Sequence, residues 1–291
     1  MKILVTGAGG QLGYDTCEVL TVRNIEHRGV DRADFDITDA KTTHDYIVNY
    51  CPDAVIHCAA YTNVERAETE PELCWAVNQK GTEHIARACR EAGAKLMYIS
   101  SDYVFPGNGV APYEPEDATG PLNVYGQSKL AGEQAVRECL ENCFVVRSSW
   151  AFGKKGSNFV KAMLRQAESR RRVQVVCDQI GSPTYTADLA NLLCDMIMTE
   201  RYGVYHATNE GYCSWAEFAG EIFRLSGRSV RVEPIPTEEY PAQAVRPKNS
   251  RMSKGRLEEA GFHRLPGWRD GLKRYLAEIG VNGTCPAQKR S

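Results

Sequence analysis

A chain of 291 residues, 43% hydrophobic and 25% charged, has the size and composition of a globular enzyme with two domains, or with one α/β domain and a smaller lobe. Its formal net charge of −2 excludes a protein whose main partner is a polyanion such as DNA. A local basic pocket for one phosphorylated small molecule stays compatible with that balance. No apolar run approaches the ~18 residues of a membrane span. Nor does a basic segment with a cleavage site precede the first strand. The eleven cysteines are odd in number and scattered, with no C-x-x-C pair. They read as reduced thiols packed as small hydrophobes, not as zinc ligands. The expectation is a cytoplasmic protein with no membrane and no nucleic acid among its partners.

Lys2 to Thr6 is a short β-branched run ending in a Gly-rich turn, and Gln11 to Arg23 carries helical spacing. Ile25 to Val30 leads into Asp31 as a second strand. Thr42 to Tyr50 reads as a helix and Ala54 to Cys58 as a third strand. Cys74 to Ala92 reads as one helix ending at Gly93, a C-cap residue. Lys95 to Ile99, Ser128 to Glu138 and Cys143 to Arg147 then read as strand, helix and strand. This alternation predicts an α/β fold, a Rossmann-like doubly wound parallel sheet whose ligands sit at the carboxyl ends of the strands. Beyond residue 150 the pattern loosens. Phe159 to Glu168, Tyr185 to Thr199, Ser214 to Ser226 and Gly267 to Ile279 look helical, and Ser214 with Glu217 forms a capping-box pattern. Residues 1–150 are therefore expected to form the dinucleotide-binding domain, with segments near 170–200 returning to it. Residues 151–280 would form a smaller, mostly helical substrate lobe, and 281–291 a frayed tail.

Gly7, Gly10 and Gly13 fit G-x-x-G-x-x-G between the first strand and the first helix. Glycines there permit a tight turn, close backbone approach to a pyrophosphate, and a helix N-terminus facing it. Asp31 ends the second strand, where a carboxylate accepts hydrogen bonds from ribose hydroxyls and favours NAD. Arg32 follows and favours the 2′-phosphate of NADP. The two pull in opposite directions, and both cofactors stay open.

Tyr125 and Lys129 lie at i and i+4 in YGQSK and share one face of a helix. A phenol of pKa ~10 becomes a better acid–base group when a neighbouring ammonium favours its anion. In a carbonyl reduction the nicotinamide delivers hydride while Tyr125 protonates the oxygen. Ser101 ends the fourth strand, placed to donate a hydrogen bond to the substrate carbonyl.

With these pieces together, the chain resembles the extended short-chain dehydrogenase/reductase family, and within it the branch that reduces dTDP-4-dehydrorhamnose. The resemblance runs over nearly all of residues 1–280. It is carried by TGAGGQLG (6–13), CAAYTNVERAE (58–68), WAVN (75–78), SSDYVFPG (100–107), YGQSKLAGE (125–133), RSSWAFG (147–153), DQIGSPTYTADLA (178–190) and RPKNSRM (246–252). It implies reduction of a nucleotide-linked 4-keto-6-deoxy sugar by NADPH or NADH, with Ser101, Tyr125 and Lys129 in catalysis. It implies cofactor contacts at Gly7, Gly10, Gln11, Leu12, Asp31, Asp36, Ile37, Ala59, Ala60, Thr62, Asn78, Tyr125 and Lys129. Asp102, Tyr103, Trp150, Asn158 and Arg246 would face the sugar nucleotide. Arg246, followed by Lys248 and Arg251, could supply cations for a diphosphate, whereas Arg170 to Arg172 read as a solvated strip. A homodimer is compatible with the resemblance. Some relatives bind magnesium at an acidic dimer contact, for which no local motif stands out here. Sugar-nucleotide dehydratases of the same fold carry an Asp–Glu pair after the catalytic hydroxyl, where this chain has Asp102–Tyr103. A 4-epimerase, and a regulatory subunit like that of methionine adenosyltransferase, are the competing readings.

Overall fold

The structure, a computed structural model, describes residues 1–281, so the tail expected over 281–291 lies outside the described residues apart from Val281. β1 (Ile3–Thr6) is buried at every position, as an apolar run between two helical layers must be. It enters the glycine turn and α1 (Gln11–Val22), followed by β2 (His27–Val30), α2 (Ala40–Tyr50) and β3 (Ala54–His57). Two short helices, α3 (Val64–Ala67) and α4 (Pro71–Trp75), lead through a π-helical turn over Ala76–Gly81 into α5 (Thr82–Ala92). β4 (Lys95–Ser101), a 3-10 turn over Asp102–Val104, α6 (Val124–Cys139) and β5 (Cys143–Ser148) complete the first half. The second half holds β6 (Ala151–Phe152), α7 (Phe159–Ser169), β7 (Arg172–Val176), β8 (Ile180–Gly181), β9 (Thr184–Tyr185) and α8 (Thr186–Ile197). It continues with β10 (Gly203–His206), β11 (Cys213–Ser214), α9 (Trp215–Leu225), β12 (Arg231–Ile235), α10 (Gly255–Glu259) and α11 (Trp268–Glu278).

The central sheet has the order β2-β1-β3-β4-β5-β10, and each neighbouring pair is parallel. The chain steps outward from β1 to β2 and then returns to lay β3 on the other side of β1. That reversal is a topological switch point, which opens a crevice at the strands' carboxyl ends. Side-chain alternation along β1 divides the interior in two. Ile3 and Val5 join Leu20 of α1 and Leu189 and Leu193 of α8 on one face. Leu4 joins Ile47 of α2, Ile85 of α5 and Val136 of α6 on the other. Each such side chain contributes about 1.5–3 kcal/mol by leaving water, and both helical layers are fixed to the sheet by it. A third core, with Phe152, Phe218, Trp268 and Tyr275, holds α7, α9 and α11 together.

Four elements differ from the sequence reading. The helix expected over 74–92 is broken by the π-helical turn at Ala76–Gly81, whose extra residue per turn leaves no trace in an apolar period. The helix expected from Ser128 starts at Val124, because the Asn123 side chain accepts from Gly126 N–H and caps it. β7 and β12, neither of them read as a strand from the sequence, pair in parallel. β10 joins the sheet beside β5 from well beyond residue 150. Ser214 and Glu217 form the capping box that their spacing predicts. Among the described residues no helix is long and apolar enough to cross a membrane, and the described cysteines are free thiols.

Candidate active site

At the switch point a cleft of about 850 Å³ runs from the glycine turn, past the ends of β3, β4 and β5, to Trp215 and Arg246. At one end is the turn itself. Gly7 has φ +70°, and a Cβ on it would lie 2.7 Å from the Ala59 nitrogen. A Cβ on Gly13 would lie 2.1 Å from the Gly7 carbonyl oxygen. The third glycine is thus demanded by packing of α1 on the turn, and the first by backbone conformation. The α1 N-cap is Gly10, with no side-chain cap, so the first amides of the helix face the cleft as a ready anion site. A dinucleotide's pyrophosphate would meet these amides, and the two glycines let the turn that presents them close against β3 and α1.

Leu12, Asp31, Asp36, Ile37, Ala59, Ala60 and Thr62 line the same cleft. Asp31 is less free than its position implied, because its Oδ2 already accepts Gly9 N–H at 2.7 Å. Arg32 is 83% exposed and rests 3.2 Å from Asp36, a surface pair weak enough to be given up for a ligand phosphate. Asp36 is held below its usual carboxylate pKa by hydrogen bonds from Thr38. Asn78 sits just behind that lining, 1% exposed. Its amide accepts from Tyr61 N–H and donates to the Tyr61 carbonyl and the Ser128 hydroxyl, bracing the 60–62 loop against α6. Only the fold brings those partners within reach of one amide.

The catalytic candidates meet where β4 ends. Ser101, Asp102, Tyr103, Tyr125 and Lys129 all line the cleft. Ser101 Oγ donates to Asp102 Oδ1 at 2.9 Å, accepts from Tyr103 N–H at 3.2 Å, and is a hydrogen-bond partner of the Tyr125 phenol. Burial raises the Asp102 carboxyl to about 6 despite the hydroxyls of Ser250 and Ser101. The Tyr103 and Tyr125 rings meet edge to face at 5.5 Å.

One physical expectation is overturned here. Lys129 does not hold the Tyr125 phenol: its ammonium donates to the Ile99 carbonyl at 2.7 Å and lies 4.1 Å from the centre of the Tyr98 ring. Burial, opposed by Ser101, instead pushes the phenol well above its usual value, so Tyr125 is firmly protonated. Lys129 is 2% exposed, and burial pushes it down to about 7, with Glu133 opposing. Sharing a helix face does not ensure contact, because a long lysine takes the nearest carbonyl that satisfies it.

The Asn158 side chain caps α7 and donates to the Gln11 side chain, the Gly153 carbonyl and the Tyr275 hydroxyl. Gln11 accepts both that bond and one from Gly153 N–H, which ties the glycine turn to the second half of the chain. Trp150 does line the cleft, at φ 49°, stacked on Trp215 with ring centres 3.6 Å apart. Sequence reasoning missed Trp215, because it opens the amphipathic stretch SWAEFAGEIFRLS and reads as a packing residue. Ser148 and Ser149, also in the lining, carried no signal beyond a strand end. Arg246 lines the far wall and pairs with Glu65 at 2.7 Å.

The family described as "RmlD substrate binding domain" matches residues 1–281. A dTDP-4-dehydrorhamnose reductase of Streptomyces griseus is 42% identical over 276 residues, covering 92% of this chain and 91% of that protein. The spore coat polysaccharide biosynthesis protein SpsK of Bacillus subtilis is 40% identical, covering 95% of this chain and 97% of its own length. A solved dTDP-4-dehydrorhamnose reductase from Bacillus anthracis, in complex with NADP, superposes with a TM-score of 0.93 at 43% identity and covers 95% and 99% of the two chains.

Proposed function

From the premise that the chain belongs to the RmlD substrate binding domain family, we propose that it reduces the 4-keto group of a dTDP-4-keto-6-deoxy sugar, dTDP-4-dehydrorhamnose, with NADPH or NADH. One observation carries the reading: Ser101, Tyr125 and Lys129 line a single cleft whose other end is the glycine turn. Relatives on both sides of the comparison bear the reductase name, and one was solved with NADP.

Bound nicotinamide would supply hydride at the carbonyl carbon. The chain's own residues supply the rest. The Tyr125 hydroxyl holds a proton that burial keeps in place at neutral pH, and delivers it to the carbonyl oxygen. The Ser101 hydroxyl, beside it, polarises that oxygen. Lys129 at the cleft floor, its ammonium on the Ile99 carbonyl and its pKa near neutrality, would orient the cofactor ribose while charged. The Trp150–Trp215 stack forms an apolar wall for the sugar nucleotide, and Arg246 meets its diphosphate.

The direct test is NADH and NADPH oxidation with enzymatically generated dTDP-4-keto-6-deoxy-L-mannose, the product's configuration being read by NMR. No oxidation of either cofactor with that sugar would sink the proposal. Two residue-level results are expected. In wild type, kcat/KM for reduction should fall as pH rises through about 7, where Lys129 loses its proton, while Tyr125 stays protonated. A profile flat from pH 6 to 9 would take Lys129 out of that role. Arg246→Ala should raise KM for the nucleotide sugar by roughly 10- to 100-fold, the scale of a charge-assisted hydrogen bond. KM for NADPH should change less than about twofold, and equal changes in both would exclude Arg246 as a substrate contact.

A further inference from the structure

The guanidinium of Arg246 does not stand alone on the cleft wall. Glu65, in the first turn of α3, accepts from Arg246 Nη2 at 2.7 Å and from its Nε at 3.3 Å. The other oxygen of the same carboxylate accepts the backbone N–H groups of Gln243 at 2.9 Å and Ala244 at 3.4 Å. One side chain from the first half of the chain thus gathers four donors from a single strap of the second half. Partial burial works against its ionisation, but Arg246 and the two amides outweigh this and hold the carboxyl below its usual value. An exposed ion pair by itself would do little; here charge and backbone hydrogen bonds converge on one group.

A second anchor sits beside it. Asn123 Nδ2 donates to the Val245 carbonyl at 2.8 Å, while Asn123 Oδ1 caps α6, the helix that bears Tyr125 and Lys129. The geometry at Arg246 is directional. Glu65 occupies the Nε–Nη2 edge and leaves Nη1, which points to the Tyr103 hydroxyl at 3.5 Å. Tyr103 in turn lies edge to face against Tyr125.

We infer that Glu65 is a positioning residue of the substrate site: it clasps residues 243–246 beside the cleft and presents the Nη1 edge of Arg246 to the diphosphate of a nucleotide sugar. This rests on the reading of Arg246 as a diphosphate contact. Glu65 itself touches no reacting atom.

Hydrogen exchange and dTDP binding to the NADPH-saturated protein test it together. Glu65→Ala should open exchange at the Gln243 and Ala244 amides in the free protein. It should weaken dTDP on the order of tenfold, with KM for NADPH unchanged. Glu65→Gln, which keeps acceptor capacity but not charge, should restore protection of the amides more than dTDP affinity. In an Arg246→Ala background, Glu65→Ala should cost no further affinity. Unchanged exchange at 243 and 244 overturns the clasp whatever dTDP does. Opened exchange with dTDP binding insensitive to Arg246→Ala overturns instead the diphosphate contact on which the inference stands. An equal loss of affinity from Glu65→Ala with and without Arg246 shows that Glu65 does not act through it, and also overturns the inference.

Discussion

Tyr125→Phe is expected to lower kcat at least about 100-fold, the usual scale for removing a general acid, while NADPH still binds. The phenol is a hydrogen-bond partner of the Ser101 hydroxyl, and burial keeps its proton through neutral pH. Phenylalanine keeps the ring, and so keeps the edge-to-face contact with Tyr103 at 5.5 Å. The loss should therefore appear in turnover and not in folding. Stopped-flow reduction under saturating substrate, beside NADPH titration by fluorescence, separates the two. Turnover within threefold of wild type would remove Tyr125 from the proton transfer and point to Ser101 or Lys129.

Glu133→Ala should produce the largest loss of stability, about 3–5 kcal/mol. Glu133 and Arg147 form a bidentate pair with only 3% and 4% of their side chains exposed. Ser100 donates to the same carboxylate, and Arg147 also reaches the Pro115 carbonyl at 3.0 Å. Removing the carboxylate leaves a guanidinium in the interior with no counter-charge, which costs far more than the pair contributes when intact. At about 2–4 °C per kcal/mol for a chain of this order, Tm should fall by roughly 10 °C. Replacing both, Glu133→Leu with Arg147→Met, should recover most of the loss, because a well-packed apolar pair is often equal to a buried ionic one. A urea denaturation series checks both. A single-variant loss below about 1 kcal/mol would mean that water reaches the site. Glu133 lies one turn beyond Lys129 and opposes the burial that lowers its pKa, so this variant should also depress Lys129 further.

The elements that were legible from the chain alone were those with a strong local cause. The KILVT run, the glycine turn and the Ser214–Glu217 capping box each act through neighbours a few residues apart, and each forms as read. Where distant partners intervene, the reading fell short. That the amides of Asn78 and Asn158 tie Tyr61 to Ser128 and Gln11 to Tyr275 could not be read from spacing. The start of α6 was placed late, because Asn123 is recognisable as a cap only once Gly126 N–H is seen to reach it. Trp215 was hidden inside an amphipathic period, whose phase tells which residues face inward but not that one of them borders a cleft.

Local chemistry decided that this chain would form alternating strands and helices with a phosphate-ready turn after the first strand. Side-chain period and backbone conformational preference act over a handful of residues and need no knowledge of the rest. The tertiary structure alone decided which carbonyl Lys129 would take, which carboxylate would face Arg246, and that β10 would close the sheet beside β5. Those outcomes depend on which distant groups compete for one donor or one edge. Such competition is settled by proximity in space, which spacing along the chain does not encode.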